Sequence, residues 1–253
     1  MEDYKPVTTP MITGCKLCAN DGSADIDQRI YRSMVGSLLY LTASRPDIVL
    51  AVGLVARYQA APKQNHLLAI KIIFRYLQGT AHYGLWYPKG KSFTLTAYTD
   101  ADWASCVDDR KSTSGGAFYL GKILVAWLSK KQTSICLSTV QAEYIAAATC
   151  CTQVMWMKKI LQDMKVSIDE PISIKCDNTS AISISKNPVL HSKTKHIPIK
   201  YHFLREKVAQ KVVKLEFVPT KEKTADIFTK PLAKEPFKYL RNKLGVVLAD
   251  VAL

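Results

Sequence analysis

Phe93-Thr94-Leu95-Thr96-Ala97-Tyr98-Thr99-Asp100 alternates Phe93, Leu95, Ala97 and Thr99 against Thr94, Thr96 and Tyr98. That period of two predicts a strand whose end delivers an acid. Strands are also predicted over residues 116–120 and 123–128, joined by Gly121-Lys122 as a two-residue hairpin turn. The period then changes. Over residues 139–164, Val140, Tyr144, Ala147, Ala148, Cys151 and Met155 make one apolar face of a long helix, with Ser138 or Thr139 as its cap. A strand at 171–176, a short helix at 178–185, a helix at 199–210, a strand at 212–218 and a short final helix at 224–232 follow. The order β-β-β-α-β-α-α-β-α predicts a single mixed sheet with flanking helices, an α/β fold.

Upstream of this region the pattern is helical. Residues 1–27 are irregular, broken by Pro6 and Pro10. Ile30, Met34, Val35, Leu38, Leu39 and Leu41 predict a buried helix over 28–42, ended by Ser44-Arg45-Pro46-Asp47. Asp47 opens a second helix, and Leu67, Ile70, Ile73, Phe74 and Leu77 form a third, stopped at Gly79. Leu85-Trp86-Tyr87 reads as a short strand, and the boundary to the α/β region falls near residues 88–92.

Four acids occupy the edges of predicted elements: Asp100 at the end of a strand, Glu143 in the first turns of the long helix, Asp177 after the strand at 171–176, and Asp226 at the start of the final helix. Strand ends that face a crevice are a usual place for ligands in α/β folds. Carboxylates gathered there repel one another, and divalent cations relieve the repulsion. Mg²⁺ takes oxygen ligands and bridging phosphate oxygens, and two such ions ~3.5–4 Å apart suit phosphodiester hydrolysis. Each acid also has a plain structural reading: a turn residue for Asp100, a cap for Asp177 or Asn178, an exposed helical position for Glu143, a helix-dipole partner for Asp226. Asp102 is the reserve for the first position, and Asp108 and Asp109 read as loop residues.

The rest of the composition sets this acidic group apart. The 253-residue chain carries a formal net charge of +14 and a pI near 9.4, which makes a polyanion, nucleic acid above all, the natural partner. Seven irregularly spaced cysteines fit reduced intracellular thiols, and Cys15-x-x-Cys18 lacks the second pair that a zinc site needs. No apolar run reaches the ~18 residues of a membrane span, and no secretory signal opens the chain.

At greater length the motifs resemble a known family. Tyr98-Thr99-Asp100-Ala101-Asp102-Trp103-Ala104, Asp108-Asp109-Arg110-Lys111-Ser112-Thr113-Ser114-Gly115, Ala142-Glu143-Tyr144-Ile145-Ala146-Ala147, Cys176-Asp177-Asn178 and Ala225-Asp226-Ile227 with Thr229-Lys230-Pro231-Leu232 resemble the RNase H domain of plant copia-type retrotransposon Pol polyproteins. Tyr31-Arg32-Ser33-Met34-Val35-Gly36-Ser37-Leu38-Leu39-Tyr40-Leu41 and Arg45-Pro46-Asp47 resemble the end of the reverse transcriptase in the same polyproteins.

The resemblance implies an RNase H-like mixed five-stranded sheet at 91–240, a thumb- or connection-like region at 1–90 and a tail at 241–253. It implies Asp100, Glu143, Asp177 and Asp226 as catalytic metal ligands for two Mg²⁺ ions, with Mn²⁺ as a substitute. The implied substrate is the RNA strand of an RNA–DNA hybrid, cut during reverse transcription, with Lys193, Lys195, Lys200 and Arg205 on its phosphates. The implied partner is the remainder of the reverse transcriptase and Pol polyprotein, in cytoplasmic virus-like particles or the nucleus. No Tyr-x-Asp-Asp site is present, so this chain alone is not expected to synthesise DNA. Three departures stand out: residues 218–223 carry no histidine, Gln141 replaces a frequent Glu, and Pro198 replaces a frequent acid. They keep open a second reading, a nucleic-acid-binding remnant without turnover. A transposase or integrase, whose last acid is usually a helical Glu, fits the order of acids less well.

Overall fold

A computed structural model describes residues 4–89, 93–168, 171–187 and 197–249. The chain divides into two units, one of Pro88–Ala104 and Lys111–Thr229, the other of Met1–Tyr87, Ser105–Arg110 and Lys230–Leu253.

In the smaller unit the α1 helix (Gln28–Leu41) is followed by a 3₁₀ turn at Pro46–Ile48, α2 (Val49–Ala56) and α3 (Gln64–Gln78). Asp27 caps α1 by accepting from the Ile30 amide at 2.9 Å. The buried face of α1 is Tyr31, Val35 and Leu38, whereas Ile30, Leu39 and Leu41, expected inside, are exposed. Spacings of four and three select a single stripe, and the excess apolar residues of a crowded helix fall outside it. Gly79 ends α3 at φ −75°, so no left-handed turn requires glycine there. Space does: an added Cβ would lie 2.8 Å from Pro6 Cβ.

The strand expected at 85–87 is β1 (Tyr83–Leu85), two residues earlier. It pairs antiparallel with Val246–Leu248. Residues 241–253, expected as a tail, therefore begin with the end of the helix Lys234–Lys243 and carry that partner strand.

The larger unit holds β2 (Leu95–Asp102), β3 (Thr113–Leu120), β4 (Ile123–Lys131), β5 (Ile172–Cys176) and β6 (Val213–Phe217) in the order β4-β3-β2-β5-β6. β2, β3 and β4 form an antiparallel meander; β5 runs parallel to β2, and β6 parallel to β5. This is the expected α/β arrangement, a mixed five-stranded sheet with flanking helices. Gly121, at φ +63°, makes the β3–β4 turn. The α4 helix (Thr139–Asp163) packs Ala147, Cys150, Cys151 and Val154 with Ala97, Phe118 and Ile174 of the sheet into one core. Ser138 caps α4, and Asn178 caps α5 (Thr179–Lys186).

Several expectations for this unit change, and β3 and β4 each run three residues beyond the strands expected at 116–120 and 123–128. β2 does not end at Asp100; its pairing with β3 continues to Asp102 opposite Thr113. The helix at 199–210 splits into a 3₁₀ turn, Ile199–His202, and an α-helix, Phe203–Ala209. The helix expected at 224–232 is a five-residue 3₁₀ segment, Thr224–Phe228, and the last helix is Lys234–Lys243. Among the described residues, no helix is long and apolar enough to cross a membrane. All seven cysteines are free.

Candidate metal centre

Four elements of the larger unit bring the acids to one point. β2 and β5 run side by side in parallel, with Tyr98 opposite Lys175. Asp100 therefore lies level with the residue just beyond Cys176, which is Asp177. Asn178 Oδ1 accepts from the Ala181 amide at 2.9 Å and so takes the capping duty that Asp177 would otherwise serve. Glu143 lies in the second turn of α4, within a run of eight buried residues, 141–148. That buried stretch holds the Glu143 carboxyl out of water.

Asp226 comes from the 3₁₀ segment Thr224–Phe228, which lies against β3. Gly115 permits that approach. A Cβ there would stand 2.7 Å from Thr229 Cγ2 and 2.8 Å from the Ala225 carbonyl. Ser129 on β4 donates to the Phe228 carbonyl at 2.7 Å and fastens the end of the segment.

A lysine holds the centre of the group. Lys223 Nζ contacts Asp100 Oδ1, lies 2.5 Å from Asp177 Oδ1, 3.6 Å from Glu143 Oε1 and 3.7 Å from Asp226 Oδ1. The residue is 1% exposed. Two threonines orient the ring of acids: Thr229 Oγ1 donates to Asp100 Oδ2, and Thr220 Oγ1 donates to Asp177 Oδ2 at 3.0 Å.

Burial and mutual repulsion set the protonation of this cluster. Burial works against the Lys223 ammonium, but the charges of Asp100 and Glu143 and the hydrogen bonds to Asp100 and Asp177 outweigh it, so the group stays charged above its usual range. Burial pushes the Glu143 carboxyl up to about 8; Lys223 opposes the rise, and Asp100 and Asp177 add to it. Cys176, beside Glu143 and Asp177, is pushed up to about 12, first by burial and then by Glu143, and remains a thiol.

The donor set fits a divalent cation. It is made of carboxylate oxygens, which hard ions such as Mg²⁺ take. Glu143 Oε2 is buried with no hydrogen-bond partner among the described residues, an arrangement that costs free energy unless a proton or an ion satisfies it.

The expected phosphate-binding residues are not all at this centre. Lys193 and Lys195 lie outside the described residues. Lys200 is exposed and lines a cavity of about 420 Å³ with Lys130, Lys131, Gln132 and Tyr201. Arg205 is half-buried; its Nε donates to the Ile184 carbonyl at 3.2 Å, and its guanidinium lies 6.0 Å from the Tyr144 ring centre. Asp108 accepts from the Ala19 amide and from the Tyr58 hydroxyl in the smaller unit, consistent with a loop role.

Lys223, Thr220, Thr229 and Gly115 are the site residues that sequence reasoning missed. Lys223 is one of three lysines within 221–230 that carry no periodic signal. Its spacing of three from Asp226 was the one available cue.

No family model matches the chain. It is 41% identical over 242 residues to the retrovirus-related Pol polyprotein from transposon RE1 of Arabidopsis thaliana, covering 96% of this chain and 16% of that protein. It is 37% identical over 253 residues to the retrovirus-related Pol polyprotein from transposon TNT 1-94 of Nicotiana tabacum, covering 97% of this chain and 19% of that protein. The chain thus spans less than a fifth of the length of these relatives. Among solved structures, LC11-RNase H1, isolated from compost by a metagenomic approach, aligns at 16% identity with a TM-score of 0.38, over 54% of this chain and 93% of that one.

Proposed function

We propose that this chain, which belongs to the retrovirus-related Pol polyproteins of transposons, serves such a polyprotein as its ribonuclease H, cutting the RNA strand of RNA–DNA hybrids during reverse transcription. The observation that carries the reading is the convergence of Asp100, Glu143, Asp177 and Asp226, from four separate elements, around one buried point. A structural core has no use for that concentration of charge; a phosphodiester hydrolase does.

Asp100 and Asp177 are the ligands whose oxygens are already aimed, each held by a threonine hydroxyl. Glu143 and Asp226 close the other side. Mg²⁺ or Mn²⁺ bound by these four residues would supply charge stabilisation for phosphodiester hydrolysis. Burial keeps a proton on the Glu143 carboxyl near neutral pH in the metal-free protein, a proton that an ion bound there would displace. The surplus of +14 draws the polyanionic hybrid, and exposed Lys200 with Lys130 and Lys131 offers phosphate contacts beside α4. We place Lys193, Lys195 and Arg205 in the same supporting role, and the reaction inside the cell in company with the rest of the polyprotein.

One observation favours a second reading. Lys223 already supplies a positive charge to the acids, as a nucleic-acid-binding remnant without turnover would require. The two readings part in one assay. The chain is incubated with a labelled RNA–DNA hybrid in Mg²⁺ or Mn²⁺. Cleavage that Asp100→Asn and Asp177→Asn abolish supports the nuclease. Salt-sensitive binding with no cleavage by the wild-type chain sinks it and leaves the remnant.

A further inference from the structure

We propose that Lys223 is the resident cation of the acidic cluster in the metal-free protein, and that a divalent ion enters by displacing its ammonium group. The inference rests on the metal-binding reading above and adds a gate to it.

Lysine is almost never fully buried unless it is paired, and Lys223 is 1% exposed with its Nζ within 3.7 Å of all four carboxylates. An ammonium at that point and a divalent ion at that point need the same oxygens. Mg²⁺ draws carboxylate oxygens to ~2.0–2.1 Å and tolerates little departure from octahedral geometry. The two cations also repel at such separation, and more strongly in a largely buried site than in water. One must leave.

The local chain gives the lysine somewhere to go. Lys223 joins two short 3₁₀ turns, Thr220–Glu222 and Thr224–Phe228. Thr220, Lys221 and Glu222 before it are exposed. A four-carbon stem rooted next to an exposed turn can swing its ammonium into water without unfolding the segment that holds Asp226. Charge balance points the same way. Four carboxylates face one ammonium, an imbalance that a divalent ion relieves more fully than a monovalent one.

Two measurements on the full chain test the proposal. Mn²⁺ binding is measured by calorimetry and by the paramagnetic resonance signal of the free ion, for wild type and Lys223→Gln. An ion that must first evict the lysine binds with an affinity reduced by the fraction of time the site is clear, so Lys223→Gln is expected to bind Mn²⁺ roughly tenfold tighter or more. Wild-type protein is also treated with an amine-acetylating reagent, with and without saturating Mg²⁺, and Lys223 acetylation is read by mass spectrometry. Lys223 is expected to be protected without metal and to react several-fold more when the site is loaded. The second arm uses the native fold and decides the matter if the variant does not fold. Equal Mn²⁺ affinity of the two proteins, or continued protection of Lys223 in a loaded site, overturns the lysine gate while metal binding stands. No Mn²⁺ binding by either protein overturns both.

Discussion

Glu143 shows what a carboxyl gives up to serve a site. Its place in the buried run 141–148 of α4 removes it from water, and the resulting rise to about 8 exceeds what Lys223, 3.6 Å away, can offset. The direction of its effect on stability follows from linkage. Between the ordinary value of 4.5 and about 8 the folded protein keeps a proton that the unfolded chain has lost. The folded state binds more protons in that window, so stability falls as pH rises through it. In chelator-treated protein, the denaturation midpoint is expected to drop between pH 4.5 and 8, and Glu143→Gln to flatten that slope. A midpoint that rises with pH over the same interval in wild type, with no change in the variant, would contradict the burial argument. Thr229 acts on the same cluster. Thr229→Val strips Asp100 Oδ2 of its hydroxyl donor in a buried site, a loss of about 1–3 kcal/mol. Thr229→Ser keeps the hydroxyl and should recover most of the lost stability in chemical denaturation.

At the scale of elements, Gly115 decides whether the 3₁₀ segment can carry Asp226 to the other acids. Gly115→Ala drives a methyl group into the Ala225 carbonyl and Thr229 Cγ2 at 2.8 and 2.7 Å. Backbone cannot yield there as a side-chain tip would, and overpacking of this kind costs roughly 1–3 kcal/mol. Gly116→Ala is the milder comparison, because its methyl meets the Phe118 ring at 3.0 Å and no backbone atom. We expect Gly115→Ala to lose hybrid cleavage and metal-induced stabilisation together, and Gly116→Ala to keep most of both. Equal behaviour of the two variants in a melting-temperature titration with Mn²⁺ would show that the segment's approach is not what places Asp226.

These two glycines mark the limit of what local pattern carries. Alternation in 93–99 and the apolar face of 139–164 announced β2 and α4, since both signals lie within one element. The extra length of β2 came from pairing with β3, Asp102 opposite Thr113, which no single strand contains. The segment expected as a helix at 224–232 likewise lies against β3, over Thr224–Phe228, a contact that no local pattern contains. The acids were legible because all four stood at or near the edges of elements predicted from the sequence. Lys223 was not, because its burial exists only once four distant segments have met.

For the whole molecule, the instructive surprise is the route of the chain through the smaller unit, which gathers residues from both ends of the sequence. Val246–Leu248 completes a two-stranded sheet with Tyr83–Leu85. Arg241 lies 4.1 Å from the Tyr83 ring centre and donates to the Tyr76 hydroxyl at 3.3 Å. Tyr76 in turn donates to Asp47 at 2.5 Å, and Asp47 pairs with Arg45 at 2.8 Å. Periodicity cannot forecast a hydrogen bond between residues 165 positions apart. Deleting residues 241–253 as if they were a tail therefore removes one end of a buried polar chain, together with fully buried Leu244 and Val246. Two such apolar side chains are worth about 1.5–3 kcal/mol each, against a whole-domain stability of roughly 5–15 kcal/mol. The shortened chain is expected to show an early unfolding transition, with protease cuts concentrated in residues 28–87 while the sheet of the larger unit stays protected. Melting and digestion patterns identical to those of the full chain would mean that the C-terminal strand and Arg241 contribute nothing to the fold they touch.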